Sequence, residues 1–161
     1  MHPRAADLIA RLGMVPHPEG GHFCEVYRSE SVVSPADGRP VRAALTTICF
    51  LLRAGEYSAF HRVRSDEAWH FYEGDPLELV WWDASDDAVH GHQLGAVGAS
   101  DGPVAVVPAG WWQAARSTGT YTLVGCTVGP GFDYADFSLM RDDPEATREL
   151  RARRPELAVF L

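Results

Sequence analysis

Lysine is absent from this 161-residue sequence, and all 14 of its strongly basic side chains are arginine. The absence excludes Schiff-base catalysis and a lysine general base, because both need an ε-amino group. A formal net charge of −8 argues against binding to nucleic-acid phosphates, which depends on clustered cations. No apolar run approaches the roughly 20 residues that a membrane-spanning helix needs. We therefore expect neither a nucleic-acid partner nor a membrane partner.

Cysteine is scarce, and its pattern predicts the compartment. The three cysteines, Cys24, Cys49 and Cys126, are odd in number and lack the CxxC spacing. Isolated reduced thiols are therefore expected rather than a disulfide framework. The segment that begins at Met1 also lacks the basic-then-apolar layout of a signal peptide. Together these features predict a cytoplasmic protein.

The hydrophobic content of 46% predicts a packed globular protein, and we expect one domain over residues 1–161. Helical patterns occur only near residues 4–12 and after Asp143, where Pro144 follows a good N-cap residue. Between them, short β-rich runs alternate with Gly/Pro turns, which predicts an all-β sandwich or barrel with short terminal helices. The predicted strands outside the central stretch of residues 55–74 cover residues 23–27, 43–52, 77–82, 89–94, 104–107 and 121–128.

The stretch from Gly55 to Gly74 concentrates ionisable side chains. It is predicted to form two strands joined by a polar turn at residues 64–66, as in a hairpin. His61 lies near the end of the first strand, while Asp66, Glu67 and His70 enter the second. Imidazoles and carboxylates brought together in this way can form either a metal site or an acid/base site.

The same stretch resembles the first motif of the cupin superfamily, with matches at Gly55, His61, Glu67 and Gly74. The second cupin motif is resembled by Gly102, Pro108 and Gly110. Two positions at which cupins place metal-binding histidines are occupied here by Val63 and Gln113. The usual metal site of the superfamily is therefore altered in this sequence.

Longer segments resemble the cupin-5 family, whose small proteins are of largely unassigned activity. The matching segments are residues 17–23, 27–29, 60–62, 65–72, 108–113 and 128–133. The resemblance implies a cupin jelly roll, here with short helices at its N- and C-terminal ends, that forms a homodimer. It also implies a more distant likeness in fold to dTDP-4-dehydrorhamnose 3,5-epimerase. Such a likeness is a weak guide to function, because one fold hosts many activities.

Strand parity leaves two alternatives for the acid/base residues. Alternate side chains of a regular strand share one face, so Glu67 and His70 cannot both enter a pocket without a bulge. In one alternative Glu67 faces the pocket together with Trp69 and Phe71. In the other, Asp66 faces the pocket together with Ala68, His70 and Tyr72.

Six residues are predicted to contact a substrate. Gln113 carries an amide that both donates and accepts hydrogen bonds, which suits orienting a carbonyl or hydroxyl group. Glu19 lies in a Gly-rich loop that forms either the rim of a pocket or a solvated turn. Aromatic side chains suit a sugar ring or an apolar ligand, and four complete the set: Trp69, Phe71, Trp112 and Phe132.

Three functional hypotheses follow. The first is a metal-independent epimerase or isomerase without a cofactor, which abstracts a proton from a sugar-like or carbonyl metabolite. Its predicted catalytic residues are His61 as the base, Asp66 or Glu67 orienting that base, and Tyr72 or His70 returning the proton. The second is a metal-dependent isomerase or oxygenase, in which a divalent ion is held by residues drawn from His61, Glu67, His70 and Gln113. The third is a module that binds a small-molecule metabolite without catalysis.

Overall fold

The computed structural model describes residues 2–161, and it shows two antiparallel β-sheets packed face to face. The predicted all-β class with short terminal helices is confirmed. The helices are α1 (Pro3–Arg11) and α2 (Pro144–Arg153), with 3-10 helices at Tyr134–Asp136, Met140–Asp142 and Pro155–Phe160. The strands are β1 (Val15–Pro16), β2 (His22–Arg28), β3 (Val32–Val33), β4 (Arg42–Ala43), β5 (Thr46–Arg53), β6 (Tyr57–Arg62), β7 (Asp66–Gly74), β8 (Leu77–Asp83), β9 (Ala88–Leu94), β10 (Val104–Val107), β11 (Trp112–Ser117), β12 (Tyr121–Gly129) and β13 (Ser138–Leu139).

The strand order of the two sheets is that of a jelly roll. One sheet has six strands in the order β1-β2-β5-β12-β7-β10, and the other has five in the order β13-β6-β11-β8-β9. A separate ribbon pairs β3 with β4. Neighbours such as β5 and β12 are distant in sequence, so the chain crosses repeatedly between the sheets. Residues from distant segments are thereby brought to one interior.

The predicted hairpin between residues 55 and 74 is wrong in its pairing. Strand β6 pairs with β11 and β13 in the five-stranded sheet, whereas β7 pairs with β12 and β10 in the six-stranded sheet. The connection Val63-Arg64-Ser65 therefore passes from one sheet to the other. The two strands do exist as predicted, but they face each other across the interior.

The side chains of the sheets alternate between the interior and an outer layer, as the period of a strand requires. Between the sheets, a cluster that includes Phe50, Trp69 and Val124 fills the space. On the outer face of the five-stranded sheet, Phe60 packs in a cluster with Leu150 of α2. Because Phe60 points outward into this layer, its neighbour His61 points into the interior.

The ends of the chain follow the sequence signals closely. Asp143 caps α2, since its Oδ1 accepts hydrogen bonds from the backbone N–H groups of Glu145 at 3.1 Å and Ala146 at 3.0 Å. Helix α1 covers part of the outer face of the six-stranded sheet through Ala5 and Leu8.

Strand β11 was not predicted, because its small, fully buried Ala114 and Ala115 give no alternating pattern.

Candidate functional site

One cavity of about 310 Å³ opens between the two sheets. Its walls come from the loop before β2, the inner faces of β5 and β12, the β6–β7 crossing and the segment that follows β12. Ionisable and polar side chains and aromatic rings both line it, and the rings of His61 and Phe137 lie 5.7 Å apart. The lining residues are His17, Glu19, Phe23, Glu25, Arg28, Thr46, Ile48, His61, Val63, Glu67, Cys126, Val128, Phe132, Asp133, Tyr134 and Phe137.

His61 enters the cavity from β6 and is 2% exposed. Its Nδ1 lies 2.9 Å from the carbonyl oxygen of Ala59, and because a carbonyl only accepts, Nδ1 carries the proton. The lone pair of the neutral ring is therefore on Nε2. Burial lowers the pKa of His61 below its ordinary value of 6.5, so the ring is neutral at pH 7. A neutral imidazole with a free lone pair is able to accept a proton.

Glu67 enters the same cavity from β7 and is held by Gln113. The Nε2 group of Gln113 donates to Oε2 of Glu67 at 2.6 Å, and the indole N–H of Trp69 donates to Oε1 of Gln113 at 2.8 Å. Since an indole nitrogen only donates, this contact fixes which way the amide points. Burial raises the pKa of Glu67 above its ordinary value of 4.5. When Glu67 is protonated, its proton is on Oε1, because Oε2 accepts the amide bond.

A second buried carboxyl group, Glu19, lies beside His61. Its Oε2 is 3.4 Å from Nε2 of His61 and 3.3 Å from Nδ1 of His17. Its Oε1 accepts a hydrogen bond from the hydroxyl of Ser58 at 2.9 Å. Burial raises the pKa of Glu19 and lowers that of His17. Glu19 therefore bridges two imidazoles at the cavity wall, where it can stabilise a positive charge that forms on His61.

The segment after β12 supplies the aromatic wall, and ion pairs fix its position. Phe132, Tyr134 and Phe137 form edge-to-face contacts with ring centroids 5.0 to 6.0 Å apart. Asp136, within this segment, accepts hydrogen bonds from Arg42 Nε at 2.9 Å, Arg42 Nη2 at 3.0 Å and Arg39 Nη1 at 3.1 Å. The aromatic wall is thus attached to the loop around β4 by a buried charge network.

Cys126 completes the floor of the cavity between the two acidic groups. Burial, followed by the nearby charges of Glu67 and Glu19, raises its pKa well above the ordinary value of 9.0. The group is therefore a protonated thiol at neutral pH. A protonated thiol is a poor nucleophile, because the thiolate is the reactive form.

The structure places four of the predicted site residues at the cavity: Glu19, His61, Glu67 and Phe132. Gln113 and Trp69 lie behind it, where they hold Glu67 in place. Phe71 packs in the interior core, and Trp112 lies in the outer cluster beneath Arg62. These last four side chains do not line the cavity, although they were predicted to contact the substrate.

The parity question is resolved in favour of Glu67. Asp66 is exposed, and its Oδ1 accepts from the backbone N–H of Ala109 at 2.9 Å. His70 lies opposite Gly125 of β12, on the face of the sheet that points away from the interior. Tyr72, at a register shift in β7, is 53% exposed and covers Gly125 on that face. The structure therefore brings none of these three predicted catalytic residues to the cavity.

The ligand set proposed from sequence for a divalent metal does not fit this arrangement. His70 points to the other side of the sheet from Glu67, and the amide oxygen of Gln113 is occupied by Trp69. Within residues 2–161, no group of three or more His, Cys, Asp or Glu side chains is arranged to hold a metal ion. We derive no step through a metal.

Twelve of the sixteen lining residues were not predicted as site residues from the sequence, among them His17, Phe23, Tyr134 and Phe137. His17 is two residues from Glu19 in the Gly-rich loop, so the local cluster was a usable signal. Tyr134 and Phe137 lie in an irregular segment with no periodic pattern, and only the long-range ion pairs of Asp136 place them at the cavity.

Solved structures of similar proteins share this architecture. A hypothetical protein from Leishmania major is 32% identical with a TM-score of 0.82, and the match covers 97% of this chain and 95% of that one. A protein from Shewanella oneidensis is 34% identical with a TM-score of 0.81, and the match covers 96% and 92% of the two chains. The capsular polysaccharide assembling protein CapF from Staphylococcus aureus is 13% identical with a TM-score of 0.58, over 78% of this chain and 31% of CapF. The similarity to CapF shows a shared fold alone.

None of the curated proteins matches this chain. Among the described residues 2–161, no helix is long and apolar enough to cross a membrane. The family Cupin_5, described as "Cupin superfamily (DUF985)", matches residues 6–140. Because that match covers most of the chain and the predicted jelly roll is present, the protein belongs to the Cupin_5 family of the cupin superfamily.

Proposed function

We propose that this protein is a metal-independent epimerase or isomerase that moves a proton on a sugar-like or carbonyl-containing metabolite. The observation that carries the proposal is the convergence of His61 and Glu67 on one cavity from opposite sheets. Burial lowers the pKa of His61 and raises that of Glu67, so the two pKa values are shifted in the directions that suit a base and an acid.

The proton transfer uses two atoms whose states the hydrogen bonds fix. Nε2 of His61 takes a proton from the carbon next to a carbonyl group, and the electron pair of that C–H bond moves toward the carbonyl oxygen. Oε1 of Glu67 donates a hydrogen bond or a proton to that oxygen, which gives an enol. For a shift of the carbonyl, the imidazolium of His61 returns its proton to the neighbouring carbon on the same face, and Glu67 takes the proton of the hydroxyl group that becomes the new carbonyl. Inversion of configuration instead takes the proton from a water on the opposite face, while Glu67 recovers the enol proton and His61 gives its proton to the resulting hydroxide.

Glu19 and Gln113 assist without contacting the reacting carbon. Glu19 lies 3.4 Å from Nε2 of His61 and stabilises the imidazolium that forms there. Gln113 acts as a positioning residue, because its amide donates to Oε2 of Glu67 and so orients the carboxyl group. In this assignment the predicted role of Gln113 changes from holding the substrate carbonyl to orienting the acid.

Exchange with solvent deuterium tests the proposal. The protein is incubated in D₂O with a panel of free aldoses and ketoses, and loss of the C–H signal next to the carbonyl is followed by proton NMR. We expect exchange with at least one compound, and a loss of about 10²-fold or more in His61→Gln, as is typical when a general base is removed. His90→Gln is the matched control, since His90 lies outside the cavity lining.

A ligand-binding module without catalysis is the alternative that this experiment separates. Such a module would bind a member of the panel, yet its C–H signals would stay unchanged over days. Exchange that continues at the wild-type rate in His61→Gln would equally contradict the assignment of His61 as the base.

We also propose that the chain forms a homodimer. Strand β10 lies at the edge of the six-stranded sheet, and its outward side chains Val104 and Val106 are 48% and 53% exposed. A second copy would cover this apolar edge. Light scattering after size exclusion should give twice the mass of the 17.7 kDa chain. In Val106→Glu, the measured mass should fall to that of a single chain. A wild-type protein of one-chain mass would contradict the proposal.

A further inference from the structure

Carboxyl groups outnumber cations at the cavity. Four carboxyl side chains line it: Glu19, Glu25, Glu67 and Asp133. Arg28 is the single guanidinium among the lining side chains of the described chain, and His17 and His61 are kept uncharged by burial. Even with both buried acids protonated, the two carboxylates at the mouth exceed the one guanidinium. An anionic ligand would therefore meet an unfavourable field on entry.

The guanidinium of Arg28 is already engaged within the protein. It donates to the carboxylate of Glu25 from Nη2 at 2.6 Å and from Nε at 3.1 Å, and its Nη1 donates to the carbonyl of Phe132 at 3.1 Å. The nearby Arg39 and Arg42 are committed to Asp136 in the same way. A phosphate group is normally bound by a free arginine or lysine or by a helix N-terminus. A phosphate entering this cavity would have to break an existing ion pair.

The size of the cavity sets a second limit. At roughly 30 Å³ for each water in the liquid, 310 Å³ corresponds to about ten water molecules. This volume lies near the lower end of the range for small-molecule pockets, which begins at about 300 Å³. One ring with its substituents fits such a volume, whereas the nucleoside diphosphate of an ester would have to extend through the mouth, past the carboxylates of Glu25 and Asp133.

The walls suit a ring that has both apolar and hydroxylated faces. Phe23, Phe132 and Phe137 offer aromatic surfaces to C–H groups, as protein sites for amphipathic rings do. Glu19 and His61 offer hydrogen-bonding atoms that suit hydroxyl groups. The ring of Phe137 lies 5.7 Å from that of His61, so apolar and polar surfaces adjoin within one small volume.

We infer that the ligand of this cavity is an uncharged, polyhydroxylated ring compound of the size of a free monosaccharide, and not its phosphate or nucleotide ester. The inference rests on the proposed function, because it names the substrate class of the same site. It separates this protein from enzymes whose substrates carry a nucleoside diphosphate.

Paired titrations test the inference on the full-length protein. Free pentoses, hexoses and 6-deoxyhexoses are each compared by calorimetry with the phosphate ester and the nucleoside-diphosphate ester of the same sugar. We expect at least one free sugar to bind, and its esters to bind about tenfold more weakly or worse, since like charges are repelled in a partly enclosed site. An ester that binds as tightly as the free sugar, or a panel in which no free sugar binds, would overturn the inference.

Charge variants test the cause of the selectivity. In Glu25→Gln/Asp133→Asn, which removes two carboxylates from the mouth, the preference for the free sugar over its phosphate should narrow. Glu78→Gln/Asp86→Asn changes the net charge equally at residues that do not line the cavity, and it should leave the preference unchanged. If the preference for the free sugar over its phosphate decreased equally in both double variants, the carboxylates at the mouth would not be its cause.

The inference and the proposed function fail in different ways. Binding of a free sugar without solvent deuterium exchange would refute the proposed enzyme and leave the ligand class standing. Exchange on a phosphorylated ester alone would support the enzyme and refute the ligand class.

Discussion

Removing the charge of Asp136 should destabilise the protein and loosen one wall of the cavity. The side chain of Asp136 is 6% exposed, and those of its partners Arg39 and Arg42 are 4% and 8% exposed. In Asp136→Asn, Arg42 would lose its counter-charge and Arg39 would keep only Asp37, while both guanidinium groups stay enclosed. Because breaking a buried ion pair leaves an uncompensated charge, the folded state loses more than the attraction itself.

The size of the stability loss in Asp136→Asn depends on how deeply its ion pairs are buried. Breaking a fully buried pair costs about 3–5 kcal/mol, and an exposed pair contributes about 0–1 kcal/mol. Asp136 lies below an exposed segment, in which Tyr134 is 54% exposed, so we expect an intermediate loss of about 2–3 kcal/mol. For a chain of this length, that loss lowers the midpoint of thermal unfolding by about 4–12 °C.

Chemical denaturation of matched variants measures this effect. Glu78→Gln is the control, since Glu78 forms an exposed pair with Arg116 at 2.5 Å and its loss should cost less than about 1 kcal/mol. Arg42 chiefly holds the pKa of Asp136 below its ordinary value of 3.8. The stabilisation is therefore complete above pH 3.8, and it is lost as the pH falls through the lowered pKa of the folded state.

Two results would refute this reasoning. The first is a loss in Asp136→Asn no larger than in Glu78→Gln. The second is a difference between wild type and Asp136→Asn that stays constant as the pH is lowered well below 3.8.

Two further predictions concern the cavity. Gln113→Leu leaves the indole N–H of Trp69 and the carboxyl group of Glu67 without their partner. We therefore expect the free energy of unfolding, measured by chemical denaturation, to fall by about 2–4 kcal/mol. In the control Gln93→Leu, at an exposed position, it should fall by less than about 0.5 kcal/mol. A Gln113→Leu protein as stable as wild type would show that the amide bonds contribute little. Because burial lowers the pKa of His61, the unfolded chain binds its proton more readily, and stability should fall as the pH drops below about 6.5. His61→Gln should lose less stability over that range, and equal losses in both proteins would contradict the lowered pKa.

The sequence was most informative where local chemistry decides the structure. Asp143 before Pro144 predicted the start of α2 because capping and a fixed φ act within one turn. The resemblance to the first cupin motif singled out His61 and Glu67, and both side chains line the cavity. The choice of Glu67 over His70 could not be made from the strand period, since it depends on which face of β7 meets the other sheet.

The rest of the site depends on contacts between distant segments. Gln113 was expected to face a ligand, but Trp69 and Glu67 occupy both ends of its amide, at sequence separations of 44 and 46 residues. The pairing of β6 with β11 in place of β7 is likewise decided by the packing of whole sheets. The aromatic wall depends on Asp136 meeting two arginines from a loop more than 90 residues earlier.

The short link Val63-Arg64-Ser65 connects the strand of His61, the proposed base, to the strand of Glu67, the proposed acid, in the opposite sheet. Five residues lie between His61 and Glu67, so the local path of this crossing helps to set the distance between their side chains. In the proposed mechanism, a change in the length of this crossing would move the base relative to the acid without altering either side chain.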